Sequence, residues 1–393
     1  MRRNCRIYAL ISLLSLFCGQ MVASFAVAEI IRGPYLSDAT RTSIVVSWET
    51  KDAAGSVVEY ATEAKYTASG GVYVERTEDP NSVKLHSITL RDLVPSTSYH
   101  YRVVSGSDVG EDNTFHTAVE RFDSFTLVAY GDTRTNPNDH KAVVHMMLQH
   151  DPDLVVHSGD LVADGNVLSQ WNTFFDTTKD LMGSIPFYPA LGNHEKNAQH
   201  YYNLFHPPAG GGKENKQWYS FDYGNAHIVC LDSDVRYSQD QLEWLENDLA
   251  RIAGRVQWIF VNFHHPPHSS GSHGSEYASM PKWIDAFERY GVDIVFNGHD
   301  HHYERSLNND IWYIVTGGGG APLRAVNQKP NPNQVYAESA LHFCKLSISG
   351  SQLTFEMIRA DGTVGDFMTI SEPTGVASIS RLPITWGKIK TGD

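Results

Sequence analysis

Five short apolar runs, each stopping at a polar cluster, constrain this chain more than any other feature of its sequence. Phe125–Tyr130 stops at Gly131-Asp132, and Leu154–His157 stops, one residue on, at Gly159-Asp160. Residues 186–190 lead into Gly192-Asn193-His194-Glu195. Residues 256–263 end at His264-His265, and residues 292–296 lead into Gly298-His299. Segments with helical spacing lie between them, at 139–149, 167–182, 238–252 and 280–290. Strands alternating with helices predict an α/β domain. In such sheets, ligands gather beyond the carboxyl ends of the strands. Every polar cluster named here falls at such an end.

The preceding stretch has a different texture. Residues 43–49 alternate around Trp48, and 56–60, 71–76 and 82–90 are further short strand candidates separated by turn residues. Leu93-Val94-Pro95-Ser96-Thr97-Ser98-Tyr99 follows. Short β runs at this spacing predict an all-β sandwich. At 393 residues the chain has room for two such domains. The division expected is 29–118 for the sandwich and 124–371 for the α/β domain, with 325–340 and a tail at 372–393 irregular.

The first 28 residues read as a targeting segment. Arg2, Arg3 and Arg6 precede an apolar run, and Ala26-Val27-Ala28 offers small residues for cleavage. This is the layout of a secretory signal peptide. No later stretch approaches the ~20 apolar residues of a membrane span. The expectation is a secreted or periplasmic protein with no stable membrane anchor once the signal is removed. Removal takes away basic residues and no acidic ones, so the formal charge of −14 becomes more negative. That balance argues against nucleic acid as a partner. Of four Cys, Cys230 and Cys344 would remain, both in apolar runs, and read as small buried hydrophobes rather than a disulfide.

The strand-end clusters carry chemistry as a set. Asp132, Asp160, Asn193, His264, His299 and His301 supply two carboxylates, one amide and three imidazoles in one domain. Alone, Gly-Asp after a strand is a turn, and a single His is a satisfied structural residue. Together they are a metal-ligand set, and oxygen donors mixed with imidazoles suit Zn, Fe or Mn.

In that order the blocks resemble the calcineurin-like metallophosphoesterases. With the N-terminal β domain they resemble the purple acid phosphatases more closely. The Gly298-His299-Asp300-His301-His302-Tyr303-Glu304-Arg305 block is similar to that family's last motif, and the strand running into Gly317–Gly320 resembles the segment that follows. The N-terminal domain is similar to a fibronectin type III fold, in which Tyr99 would be the tyrosine-corner residue. The resemblance implies a β-sandwich flanked by helices, and a site where Asp160 bridges two metals. Asp132 and His301 would bind the first, and Asn193, His264 and His299 the second. It implies hydrolysis of small phosphate monoesters by a metal-bound hydroxide. His194 would contact phosphate or protonate the leaving oxygen, and His273, on the loop after His264, is a second candidate for that role. Arg134 could pair bidentately with phosphate or simply form a surface ion pair. Asp164 and His157 could orient ligands, though a turn and a buried-strand role suit them as well.

Two positions depart from the family. Its tyrosine three residues after the bridging Asp is Ala163 here, and the His that other metallophosphoesterases place two residues after the first Asp is Arg134. The first metal therefore lacks a recognisable fourth protein ligand, unless Asn136 or His140 supplies it. Two divalent ions with two Asp and one hydroxide leave the same residual charge as a ferric–divalent pair with a tyrosinate added. The expected cofactor is therefore a divalent pair (Zn, Mn or Fe) without purple colour, rather than a mixed ferric–divalent pair. The alternatives are a phosphodiesterase or nucleotidase on the same scaffold, or an inactive secreted binding protein.

Overall fold

The computed structural model describes residues 28–371. The signal peptide (save Ala28) and the tail at 372–393 lie outside the described residues. No helix among the described residues is long and apolar enough to cross a membrane.

The N-terminal region is β-rich, with strands Ile30–Ser37, Ile44–Thr62, Glu75–Leu90, Ser98–Ser105, Asp108–Val109 and Asn113–His116 and one short helix, Glu63–Ala68. Alternation puts Val46, Trp48, Val58, Tyr60, Tyr101 and Val103 into one core. Trp48 donates its indole N–H to Ser105 Oγ at 2.9 Å. Tyr99 accepts the Val94 N–H at 2.9 Å and ties down the turn before it. The sequence suggests separate strands at 43–49 and 56–60. The structure joins them into Ile44–Thr62, whose first half pairs with Ile30–Ser37 and whose second half pairs with Ser98–Ser105. Irregular pairing between Glu49 and Ser56 absorbs the apparent break. Of the strand candidate at 71–76 only the last two residues are strand, and they run on through 82–90 as Glu75–Leu90.

The α/β region is two sheets face to face. The six-stranded sheet runs Val364–Ser371, Gln352–Arg359, His342–Ser349, Phe125–Tyr130, Leu154–His157, Phe187–Pro189. The seven-stranded sheet runs Tyr219–Tyr223, Ala226–Cys230, Trp258–Asn262, Ile294–Asn297, Ile311–Thr316, Tyr303–Asn308, Gln334–Glu338. Side chains alternate between layers. Leu127 and Ala129 join Ile228, Phe260, Phe296 and Ile314 between the sheets. Val128 and Tyr130 instead pack with Val143, Trp171, Phe174 and Leu181 beneath helices Pro137–Leu148 and Leu168–Met182. Gln239–Ile252 and Pro281–Tyr290 cover the other sheet in the same way. Gln334–Glu338, expected to be irregular, is an edge strand on Tyr303–Asn308. Cys230 and Cys344 are buried and unpaired, as the sequence suggests.

Three strands of the first sheet pair in parallel, as do four of the second. Parallel pairing brings their carboxyl ends to one edge of the sandwich, and that edge carries the polar clusters.

Tyr35 crosses from the β-rich region into the helix-side core, where it meets Phe175 at 4.8 Å between ring centroids. Its hydroxyl donates to Leu204 O at 2.7 Å. Tyr101 donates to Gly183 O at 2.6 Å. Tyr35→Ala is expected to cost about 3–5 kcal/mol in urea unfolding, the usual loss for a buried aromatic ring. A cost under about 1 kcal/mol would mean that this contact does not couple the two regions.

Candidate metal centre

The chain turns sharply at each strand end. Asp132 (φ 58°), Asp160 (φ 59°) and His299 (φ 72°) all adopt the left-handed region, which is costly for non-glycine residues and concentrates at functional sites. Close approach of the loops requires their glycines. A Cβ on Gly298 would lie 2.3 Å from Asp132 Oδ2, and one on Gly192 would lie 2.4 Å from Asp160 Oδ1. The turns interlock through Asp132 N–H to Gly159 O and Thr133 N–H to Asp160 O, both 3.1 Å.

The six donors named from sequence come together. One ligand atom each from Asp132, Asp160 and His264 lies within 4.8 Å of the others. His264 Nε2 is 3.3 Å from Asp160 Oδ1, 3.1 Å from Asn193 Oδ1 and 3.2 Å from His299 Nδ1. His301 Nε2 is 3.5 Å from Asp132 Oδ1. Backbone carbonyls orient the rings. His264 Nδ1–H donates to Ser158 O at 2.9 Å and His301 Nδ1–H to Pro322 O at 2.8 Å, which turns each Nε2 inward.

The electrostatics are those of a cation site. Burial and the neighbouring Asp160 charge push Asp132 up to about 7, against the pull of His264. Burial opposes charging His264, yet Asp160 and Asp132 raise it to about 10. Burial and His264 hold His299 far below the ordinary imidazole range. Asp132 Oδ1 is buried with no hydrogen-bond partner among the described residues. A buried carboxylate oxygen without a donor, facing inward-pointing imidazoles, fits a metal ion.

The other candidates sit around this core. His194 donates Nδ1–H to Ala163 O at 2.7 Å, so its Nε2 faces the space beside Asp160, 3.9 Å from Oδ2. The His273 ring lies 4.0 Å from that of His299 and is held by Asp300 Oδ1 at 3.0 Å and Arg324 at 2.8 Å. Arg134 is not a free surface residue. Its Nε donates to Asp160 Oδ2 at 3.1 Å and its Nη2 meets His301 Nε2 at 3.2 Å. Asn136 donates to Asp139, and His140 Nε2 meets the Tyr130 hydroxyl. Asp164 pairs with Lys196, and buried His157 accepts the Gly159 N–H.

Two supporting residues escaped the sequence reading. Glu195, fully buried, accepts backbone N–H groups from Asp160 (2.8 Å), Gly192 (2.7 Å) and Val162 (3.2 Å). Asp300 accepts from Ser269 Oγ at 2.6 Å and from the His273 N–H at 3.1 Å, anchoring the loop after His264. Their only signals in the sequence are their positions: one follows Asn193-His194, the other stands between His299 and His301.

Family models match three stretches of the chain: calcineurin-like phosphoesterase over residues 125–303, purple acid phosphatase N-terminal domain over 34–118, and iron/zinc purple acid phosphatase-like C-terminal domain over 311–367. The chain is 28% identical over 395 residues to acid phosphatase type 7 of Mus musculus, across 84% of this chain and 88% of the mouse protein. It is 26% identical over 318 residues to an uncharacterised protein of Mycobacterium tuberculosis, across 67% of this chain and 60% of the relative, so the match spans less than two thirds of that relative's length. Its fold is similar to that of purple acid phosphatase PPD1 from yellow lupin seeds (TM-score 0.74, 21% identity, 86% of this chain and 74% of that one).

Proposed function

The chain belongs to the calcineurin-like phosphoesterases, as a purple acid phosphatase-like member, and on that premise we propose that it is an exported phosphatase with two metal ions that hydrolyses small phosphate monoesters. The observation that carries this reading is that six donor side chains meet in one linked cluster, within which the buried Asp132 Oδ1 has no hydrogen-bond partner.

In this reading Asp160 would be shared, Asp132 and His301 would hold one ion, and Asn193, His264 and His299 would hold the other. Bound metal ions would polarise the phosphoryl oxygens and lower the pKa of a water molecule towards neutrality. The protein side chains do the rest. Ser158 and Pro322 carbonyls keep the imidazoles in the ligating tautomer. His194, anchored on Ala163 O, presents Nε2 where a leaving oxygen would take its proton. His273, buttressed by Asp300, is a second group at the rim. Export rests on the reading of residues 1–28, and the boundaries 29–118 and 124–371 remain those read from the sequence.

Ala163 offers no phenolate, which supports a divalent pair of Zn, Mn or Fe. The purified protein should be colourless and should hydrolyse an aryl phosphate faster than a bis-aryl phosphate. Chelation should remove both activities, and Zn or Mn should restore them. A visible charge-transfer band with stoichiometric ferric iron would count against the divalent pair. Faster diester turnover would favour the phosphodiesterase reading, and no metal-dependent turnover of either ester the binding-protein reading.

A further inference from the structure

The site has a resident cation of its own. Arg134 Nε is 3.1 Å from Asp160 Oδ2, and Arg134 Nη2 is 3.2 Å from His301 Nε2. Those two atoms, with Asp132 Oδ1, form one end of the donor cluster. At the other end, made of Asp160 Oδ1, Asn193, His264 and His299, the contacts are among the ligand side chains themselves, and among the described residues no arginine or lysine hydrogen-bonds to them. The His301 contact is informative. Its Nδ1–H is committed to Pro322 O, so Nε2 carries a lone pair, and the guanidinium donates to it. A guanidinium has only donors and always carries its charge. It and a metal ion therefore compete for the same lone pairs.

Arg134 also has somewhere to go. Its side chain is 15% exposed and lines a cavity of about 410 Å³ with Thr133, Thr135, Ala163, Gln170 and Thr173. Position 163 contributes only a methyl group there. Thr133, Thr135, Gln170 and Thr173 make part of that lining polar.

We propose that Arg134 is a built-in competitor for the metal at Asp132, Asp160 and His301, so that this ion is the weakly held, exchangeable one. The ion at Asn193, His264 and His299 is retained. Binding of the exchangeable ion moves the guanidinium off Asp160 and His301 towards the adjoining cavity. The inference rests on the two-metal reading above and adds an order of occupancy to it.

Metal titration tests it without reference to turnover. The metal-free protein and Arg134→Gln are titrated with Zn²⁺ and, separately, Mn²⁺ by calorimetry. Metal retained after dialysis against a weak chelator is counted by elemental analysis. The wild type should show one tight and one weak equivalent and keep the tight one. Arg134→Gln should bind the weak equivalent about tenfold tighter or more and leave the tight one unchanged, since removing a like charge at hydrogen-bonding distance relieves direct repulsion. Asn193→Ala should lose the tight equivalent in both backgrounds. Two equally tight equivalents in the wild type would overturn the competition while leaving the two-metal reading intact. So would a weak equivalent that Arg134→Gln does not tighten. Failure of both proteins to bind a second equivalent would overturn both.

Discussion

Asp160→Asn is expected to cut metal-dependent turnover of an aryl phosphate at least about a thousandfold, roughly 4 kcal/mol of transition-state stabilisation, while leaving the fold intact. Both carboxylate oxygens are in use. Oδ1 accepts the His194 N–H at 3.0 Å and lies 3.3 Å from His264 Nε2, and Oδ2 accepts from Arg134 at 3.1 Å. An amide supplies one oxygen and no charge. Its NH₂ group must face either the His194 N–H or the guanidinium, a donor against a donor in both cases. The backbone is not disturbed, because φ at this position is 59° and asparagine is among the residues that tolerate the left-handed region best. Circular dichroism and the thermal midpoint should therefore match the parent, and bound metal should fall. Turnover within about tenfold of the parent, with metal retained, would remove Asp160 from the shared position.

The parts of the centre legible in the sequence are those fixed by local pattern. An apolar strand must end somewhere, and Asp132, Asp160 and His299 announce the ends by following glycines at positions where the chain turns left-handed. Parallel pairing then gathers those ends without further instruction. What the sequence left open depends on contacts between distant loops. Arg134 reads equally as phosphate ligand or surface charge, because its partner His301 lies 167 residues away. Glu195 looks like an ordinary acid beside a lysine and becomes buried only when the Asp160 turn folds over it. The β-rich region shows the complementary failure. Lys51 and Asp52 are exposed, so nothing in hydrophobic periodicity distinguishes a continuous strand from two strands and a turn. Gln334–Glu338 was missed for the same reason, since an edge strand with little burial carries no alternating pattern.

Glu195→Ala should destabilise the protein by about 3 kcal/mol or more, because three buried N–H groups lose their acceptor and each unsatisfied donor costs about 1–3 kcal/mol. The three belong to Asp160, Val162 and Gly192, so one carboxylate joins the turn that carries the shared ligand to the turn that carries Asn193. Glu195→Gln separates that positioning role from plain folding. Glutamine keeps one oxygen, which can take over the bonds from Asp160 and Gly192 that now converge on Oε2. Its amide group then opposes the Val162 N–H, the longest of the three contacts at 3.2 Å. The stability cost should fall to about 1–2 kcal/mol, one lost bond rather than three. Metal affinity should nevertheless drop about 10–100-fold, the usual consequence of loosening a group that orients ligands. Urea unfolding and metal titration on the two variants test the pair of expectations. A glutamine variant with parental metal affinity would reduce Glu195 to a structural tie between loops. An alanine variant of parental stability would show that water replaces the carboxylate in satisfying the three N–H groups.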